Sequence, residues 1–166
     1  MVREIRGGGE RPSGKVQRYN VIVVFDPNYE AVLLELKHKG PYPGQYNFPG
    51  GKLEEGEEPQ ESAERELLEE TKLGPDNIWS LKWLVTHSFP DGPNDAIILD
   101  VFYTRLKTFG DIEVLPTNTD VGDPLCWRAV ESISNANDAT LAGQGNLPYL
   151  VRLARETLLR DYFVQL

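Results

Sequence analysis

Residues 51–73 read GKLEEGEEPQESAERELLEETKL, directly after Pro49-Gly50, and the organisation of this stretch decides the fold. Pro59 stands where the first helical turn tolerates its missing N–H, so a helix is expected from about Pro59 to Thr71. On that helix Glu66 and Glu70 are four apart and Glu66 and Glu69 three apart. The three carboxylates therefore project on one face. Like charges that close repel by roughly a few kcal/mol at an effective dielectric near 20. Arg65 lies among them, four residues from both Glu61 and Glu69. Ala63 and Leu67, with Thr71 continuing the row, form a neighbouring face that packs inward. An ordinary solvated helix would alternate its charges; here the acids cluster with only Arg65 to offset them. Oxygen-only ligands suit a hard divalent ion, Mg²⁺ or Mn²⁺. Such an ion keeps positions open for water and phosphate oxygens, which points to phosphate chemistry.

The spacing also carries a family resemblance. Gly51, Glu57 after five residues, Arg65-Glu66-Leu67 after seven more, then Glu69-Glu70 and Leu73, resembles the Nudix box, G-x5-E-x7-R-E-U-x-E-E-x-G-U. One position departs: Lys72 stands where the family has glycine. Either lysine takes the left-handed conformation at the helix end, at roughly 1 kcal/mol or more, or the helix runs on to Gly74-Pro75. Neither alternative displaces Glu66, Glu69 or Glu70.

The resemblance implies an α/β (α+β) fold, a Nudix-type α/β/α sandwich with a mixed sheet, the box as loop-helix-loop and a C-terminal helix. It implies hydrolysis of a nucleoside diphosphate linked to another group. Within that class, a MutT-like nucleoside triphosphate pyrophosphohydrolase is preferred, releasing a monophosphate and pyrophosphate, with oxidised purine nucleotides among its substrates. An ADP-ribose or nucleotide-sugar pyrophosphatase and a non-catalytic binding domain are the alternatives. Glu66, Glu69, Glu70 and the Gly50 carbonyl would bind Mg²⁺ (or Mn²⁺). Glu66 or Glu69 would serve as general base, Arg65 would orient Glu66, and Gly51 and Glu57 would be structural parts of the box. Some members add an acid from a later loop. Asp95, Asp100, Glu113, Asp120 and Asp123 are the choices here, and Asp120 is preferred.

Composition sets the outer bounds. A chain of 166 residues with 26% charged residues fits one globular domain. Residues 1–15, rich in Gly, Arg and Glu, read as a mobile tail before a single domain over 16–166. No apolar run is long enough for a membrane span, and no signal-peptide core is visible. The lone Cys126 excludes a disulfide framework and fits a reducing cytoplasm. A formal charge of -9 argues against nucleic-acid polymers as partners but not against a single nucleotide. A homodimer is compatible with the resemblance, although no segment identifies an interface.

Along the chain, Tyr19–Phe25 and Ala31–Leu36 read as paired strands, with Asp26-Pro27-Asn28 as the turn. Further strands are expected over Trp79–Phe89, Ala96–Leu106 and Leu125–Val130, and a helix over Asn146–Tyr162. Asn146 is its expected cap and Leu147, Leu150, Val151, Ala154 and Leu158 its apolar stripe. Trp79, Trp83 and Trp127 are assigned to core or interface. Base recognition needs an aromatic face and a polar edge. Asn47, Phe48, Tyr46 and Tyr42 surround the glycine turn and could supply both, with satisfaction of strand-end backbone the favoured role for Asn47. Lys52 could reach a substrate phosphate or lie solvated beside Glu54 and Glu55. His87 and Phe89 end a strand and could line the same cleft.

Overall fold

The computed structural model describes residues 14–114, 123–135 and 137–164. Its centre is β1 (Val16–Phe25), whose run Ile22–Phe25 is buried on both faces. β1 pairs in parallel with β5 (Ala96–Arg105), in register from Val16–Ala96 to Phe25–Arg105. β5 pairs antiparallel with β4 (Lys82–Pro90) through a tight connection where Gly92 takes φ 96°. On the other side β2 (Ala31–Leu36) meets β1 only at Phe25–Val32. It carries β3 (Tyr46–Asn47) and β6 (Leu125–Ala129) as antiparallel neighbours. The sheet is thus mixed.

Each face carries a helix. α1 (Pro59–Thr71) buries Ala63, Leu67 and Thr71 against Ile22, Val24, Leu33 and Phe102. Burying a leucine such as Leu67 contributes about 1.5–3 kcal/mol. α2 (Asn146–Val164) packs Leu147, Leu150, Val151 and Ala154 on the opposite face, against Val23, Phe25, Leu34 and Val101. The result is the α/β/α sandwich that the sequence implies.

Several local details depart from expectation. Asn146 has helical angles (φ -69°, ψ -34°), so it is the first helical residue and not the cap. Helix α1 ends at Lys72 in the left-handed conformation, φ 64°, with its N–H donating to the Leu68 carbonyl at 3.0 Å. Of the two alternatives at that position, the strained one is realised. Lys15, the last residue of the expected tail, donates its N–H to Asp95 Oδ1 at 2.7 Å, and its carbonyl accepts from the Ala96 N–H. Trp79 and Trp83 are exposed, with Trp79 stacked under the Arg105 guanidinium at 5.1 Å. Among the described residues no helix is long and apolar enough to cross a membrane.

Candidate active site

The segment 49–53 runs beside β1 like a further strand. Asn20 and Ile22 donate to the carbonyls of Gly51 and Pro49 at 2.8 Å, and Leu53 donates to the Arg18 carbonyl at 3.1 Å. Alternation along this segment turns the Gly50 carbonyl away from β1. Gly50 must be glycine: at φ 146° a Cβ would lie 2.3 Å from the Asn20 carbonyl oxygen. Gly51 faces α1, where a Cβ would fall 2.4 Å from the Glu66 carboxylate. The close approach of loop and helix therefore depends on both glycines.

Arg65 ties the acids together. Its Nε and Nη2 donate to the two oxygens of Glu57 at 2.8 and 3.1 Å. Its Nη1 donates to Glu66 at 3.0 Å and to Glu69 at 3.3 Å, and Nη2 also reaches the Lys52 carbonyl at 3.3 Å. Glu61, the other expected partner, instead accepts from the Glu58 N–H. The Arg65 fork and the Glu54 N–H hold the Glu57 carboxyl down at about 2, so this anchor stays ionised. Glu70 accepts from the Gly50 N–H at 2.8 Å and closes the loop onto the helix. Burial pushes both Glu66 and Glu70 above the usual carboxylate range, against the opposing pull of Arg65 and of the Gly50 N–H respectively. Glu69 is the exposed member of the three.

The sequence reading missed Glu35. It sits at the polar end of β2, only 2% exposed, bonded to Lys37 Nζ. Lys37 also pairs with Asp123 at 3.0 Å. Burial first, then the nearby Glu70 charge, push Glu35 well upward, whereas Glu35 and Asp123 hold Lys37 cationic. The one available signal was a lone acid in the otherwise apolar AVLLEL.

Other expected residues fall elsewhere. Phe48 is 1% exposed and belongs to the α2-side core, so it offers no face to a ligand. The parity of β3 is the reason: Asn47 pairs with Glu35, and the next residue points through the sheet. Asn47 Oδ1 accepts from the Phe48 N–H at 2.9 Å, the strand-end role. Tyr46 lies half-buried under the Arg128 guanidinium. Lys52 pairs across from Tyr19, so its side chain lies on the face opposite Gly51. Among the later acids, Asp100 is buried in a two-pronged pair with Arg18, Asp95 holds Lys15, and Asp123 holds Lys37 and His38. Asp120 lies outside the described residues.

The donor set fits a hard divalent cation in kind. Glu66, Glu69, Glu70 and the Gly50 carbonyl supply only oxygen. Resident cations cannot neutralise this cluster for an incoming phosphate, because Arg65 and Lys37 are already engaged by acids. Asn20 Oδ1, buried beside the Gly50–Gly51 turn on the α1 face, has no protein partner among the described residues. No group of three acid, histidine or cysteine side chains among those residues converges on one point. The candidate oxygen donors do not by themselves close a coordination shell.

A family profile described as NUDIX domain matches residues 15–147. The chain belongs to the NUDIX family. The oxidized purine nucleoside triphosphate hydrolase of Mus musculus is 42% identical over 60 residues, which are 36% of this chain and 37% of that protein. The match thus spans little more than a third of that relative. Among solved structures, the MutT protein of Bacillus halodurans superposes with a TM-score of 0.57 at 23% identity, covering 82% of this chain and 80% of that one. NrtR of Shewanella oneidensis, solved with a 27mer DNA, gives 0.66 at 18% identity over 86% of this chain and 62% of its own. The MutT NUDIX hydrolase of Burkholderia pseudomallei gives 0.59 at 16% identity over 84% and 98%. These structural likenesses speak for the NUDIX fold.

Proposed function

We propose that this NUDIX chain hydrolyses nucleoside triphosphates to a monophosphate and pyrophosphate with a divalent cation, Mg²⁺ or Mn²⁺, as cofactor. Oxidised purine nucleotides are the first substrates to test, because the murine relative carries that name. The observation that carries the reading is the Arg65 fork. It holds Glu57, Glu66 and Glu69 together while Glu70 clasps the Gly50–Gly51 turn. Four acids gathered around one arginine leave an excess of negative charge that a bound cation would offset.

Glu66, Glu69, Glu70 and the Gly50 carbonyl would hold the cation. When bound, it would stabilise negative charge on the attacked diphosphate as a Lewis acid. Glu66 is favoured over Glu69 as the base that takes the proton of the attacking water. Arg65 Nη1 fixes its orientation at 3.0 Å, whereas the Glu69 carboxylate is the exposed one. Asp120 stays a proposed additional acid. A small nucleotide, not a nucleic-acid polymer, is the proposed partner of this acidic chain. Cys126, half-buried with its thiol pushed up by burial, fits a reducing cytoplasm.

The test is a Mg²⁺-dependent hydrolysis screen over canonical-base and oxidised nucleoside triphosphates, ADP-ribose and nucleotide sugars, with products identified. Glu69→Gln and Glu70→Gln variants should stay folded and lose roughly 10²–10⁴-fold in rate. Folded variants that hydrolyse as fast as the parent would overturn the assignment. AMP and ribose phosphate from ADP-ribose alone would replace the substrate class.

A further inference from the structure

Asn20 breaks the pattern of its strand. Ile22 and Val24, the next β1 residues on the same face, share an apolar cluster with Ala63 and Leu67 of α1. Asn20, equally buried, meets the helix through a polar contact: its Nδ2 donates to Ser62 Oγ at 2.8 Å. Ser62 is itself fully buried. Asparagine is a poor strand former, and its Oδ1 is left without a protein partner among the described residues. An orphaned buried acceptor is destabilising, and an apolar pair at 20 and 62 would continue the dry contact without it. The polar pair therefore serves something other than the packing of α1. What it serves lies beside it. The Ser62 side chain joins Arg65 and the Glu54 N–H in holding the Glu57 carboxylate ionised. Glu57 takes Nε and Nη2 of Arg65, and Arg65 Nη1 holds Glu66 at 3.0 Å. Asn20 also donates its backbone N–H to the Gly51 carbonyl at 2.8 Å. One residue of the central strand thus touches both the glycine loop and the support of the fork.

We infer that Asn20 is a positioning residue of this site: through Ser62 it steadies Glu57, and through Glu57 the Arg65 fork that presents Glu66. This rests on the hydrolase reading above and adds the support on which the geometry of the acids depends. By donating to Ser62 Oγ, the Asn20 amide occupies the acceptor side of the hydroxyl and leaves its proton for Glu57. Without that amide the hydroxyl is free to turn back on the helix, to the carbonyl four residues earlier, as mid-helix serines do. Glu57 then keeps only Arg65 and the Glu54 N–H. Arg65 gains freedom to shift, and Glu66 shifts with it. Partners one step removed from the reacting groups typically change metal affinity or activity by about 10- to 100-fold.

The experiment compares the parent chain with Ser62→Ala and with the double variant Asn20→Val/Ser62→Ala. The double variant keeps the backbone bond of residue 20 to Gly51 and removes both polar partners, so its urea midpoint should match or exceed that of the parent. Ser62→Ala alone orphans the whole Asn20 amide and should be the less stable of the two. A pair that mattered only for packing would leave the double variant fully active. Positioning predicts otherwise: kcat on the best triphosphate at saturating Mg²⁺ should fall about 10- to 100-fold in both variants, with KM nearly unchanged. In the metal-free chain the Arg65 Nε–H, followed by NMR, should exchange with solvent faster in both. Parent-like kcat in either folded variant overturns the proposal, as does an unchanged Arg65 exchange rate. A parent that hydrolyses no diphosphate overturns the enzymatic reading instead, and the Arg65 exchange rate still decides the positioning.

Discussion

Substituting alanine at Gly51 and, separately, at Gly50 should separate catalysis from stability within one turn. A Cβ on Gly51 would sit 2.4 Å from Glu66 Cδ and Oε1. Ordinary contact at such a pair is about 3.4 Å, so the carboxylate must retreat by about 1 Å. It is the free end of a side chain and can move. The cost is its bond to Arg65 Nη1, about 1 kcal/mol in this partly exposed setting. A displacement of about 1 Å at a reacting group can nonetheless lower a rate about 10²-fold. Alanine at Gly50 meets backbone instead: the Asn20 oxygen at 2.3 Å and Val21 Cα at 2.8 Å, at φ 146°. Neither neighbour can yield without disturbing β1, so about 2–5 kcal/mol of stability should be lost. That corresponds to a fall in Tm of roughly 5–15 °C for a chain of this size. Urea titration gives the stability of both variants, and kcat on the best substrate gives the chemistry. The expected pattern is Gly51→Ala folded and slow, Gly50→Ala unstable. If Gly51→Ala kept full kcat, or lost as much stability as Gly50→Ala, the packing of loop on Glu66 would not have the importance argued for it.

Lys72→Gly should raise stability by about 0.5–1 kcal/mol, because glycine relieves the left-handed strain while giving up only the exposed Lys72 bond to the Glu69 carbonyl. Thermal unfolding checks this, and kcat should not change. The buried acids give a pH signature. The folded state raises the Glu35 and Glu70 carboxyls above their unfolded value near 4.5, so it binds their protons more tightly. Their contribution is most favourable at low pH and is lost as pH rises from the unfolded value through the folded one. In metal-free buffer, urea midpoints should therefore fall between about pH 5 and pH 9, and Glu35→Gln should flatten the decline. A variant as steep as the parent would show that Glu35 is not a source of the effect.

Local periodicity was enough to place α1, with its dry face of Ala63, Leu67 and Thr71, and the acids that Arg65 gathers. The strands were visible as apolar runs, but their partners were not. Nothing in the sequence says that β1 lies parallel to β5, or that β6 inserts beside β2. Phe48 shows the consequence. As sequence it is an aromatic beside a glycine turn, well suited to a base. The pairing of Asn47 with Glu35 fixes strand parity and sends Phe48 into the core. The same pairing explains Glu35, which reads as the solvated end of an apolar strand until Lys37, Asp123 and Glu70 are brought around it.

Parity also explains how one short loop serves two tasks. Successive residues of a strand-like segment face opposite ways, and segment 49–53 is held to β1 by three hydrogen bonds. Gly51 consequently turns toward α1 and Glu66, while Lys52 turns to the α2 face beside Tyr19. Gly51 and Lys52 thus serve opposite faces of the sheet, with the acids on the α1 side. A slip of one residue in its pairing would point a lysine at Glu66 and a glycine toward the α2 face. The hydrogen bonds from Asn20 and Ile22 to Gly51 and Pro49 are what exclude that slip, so the register of this loop decides which residue faces Glu66.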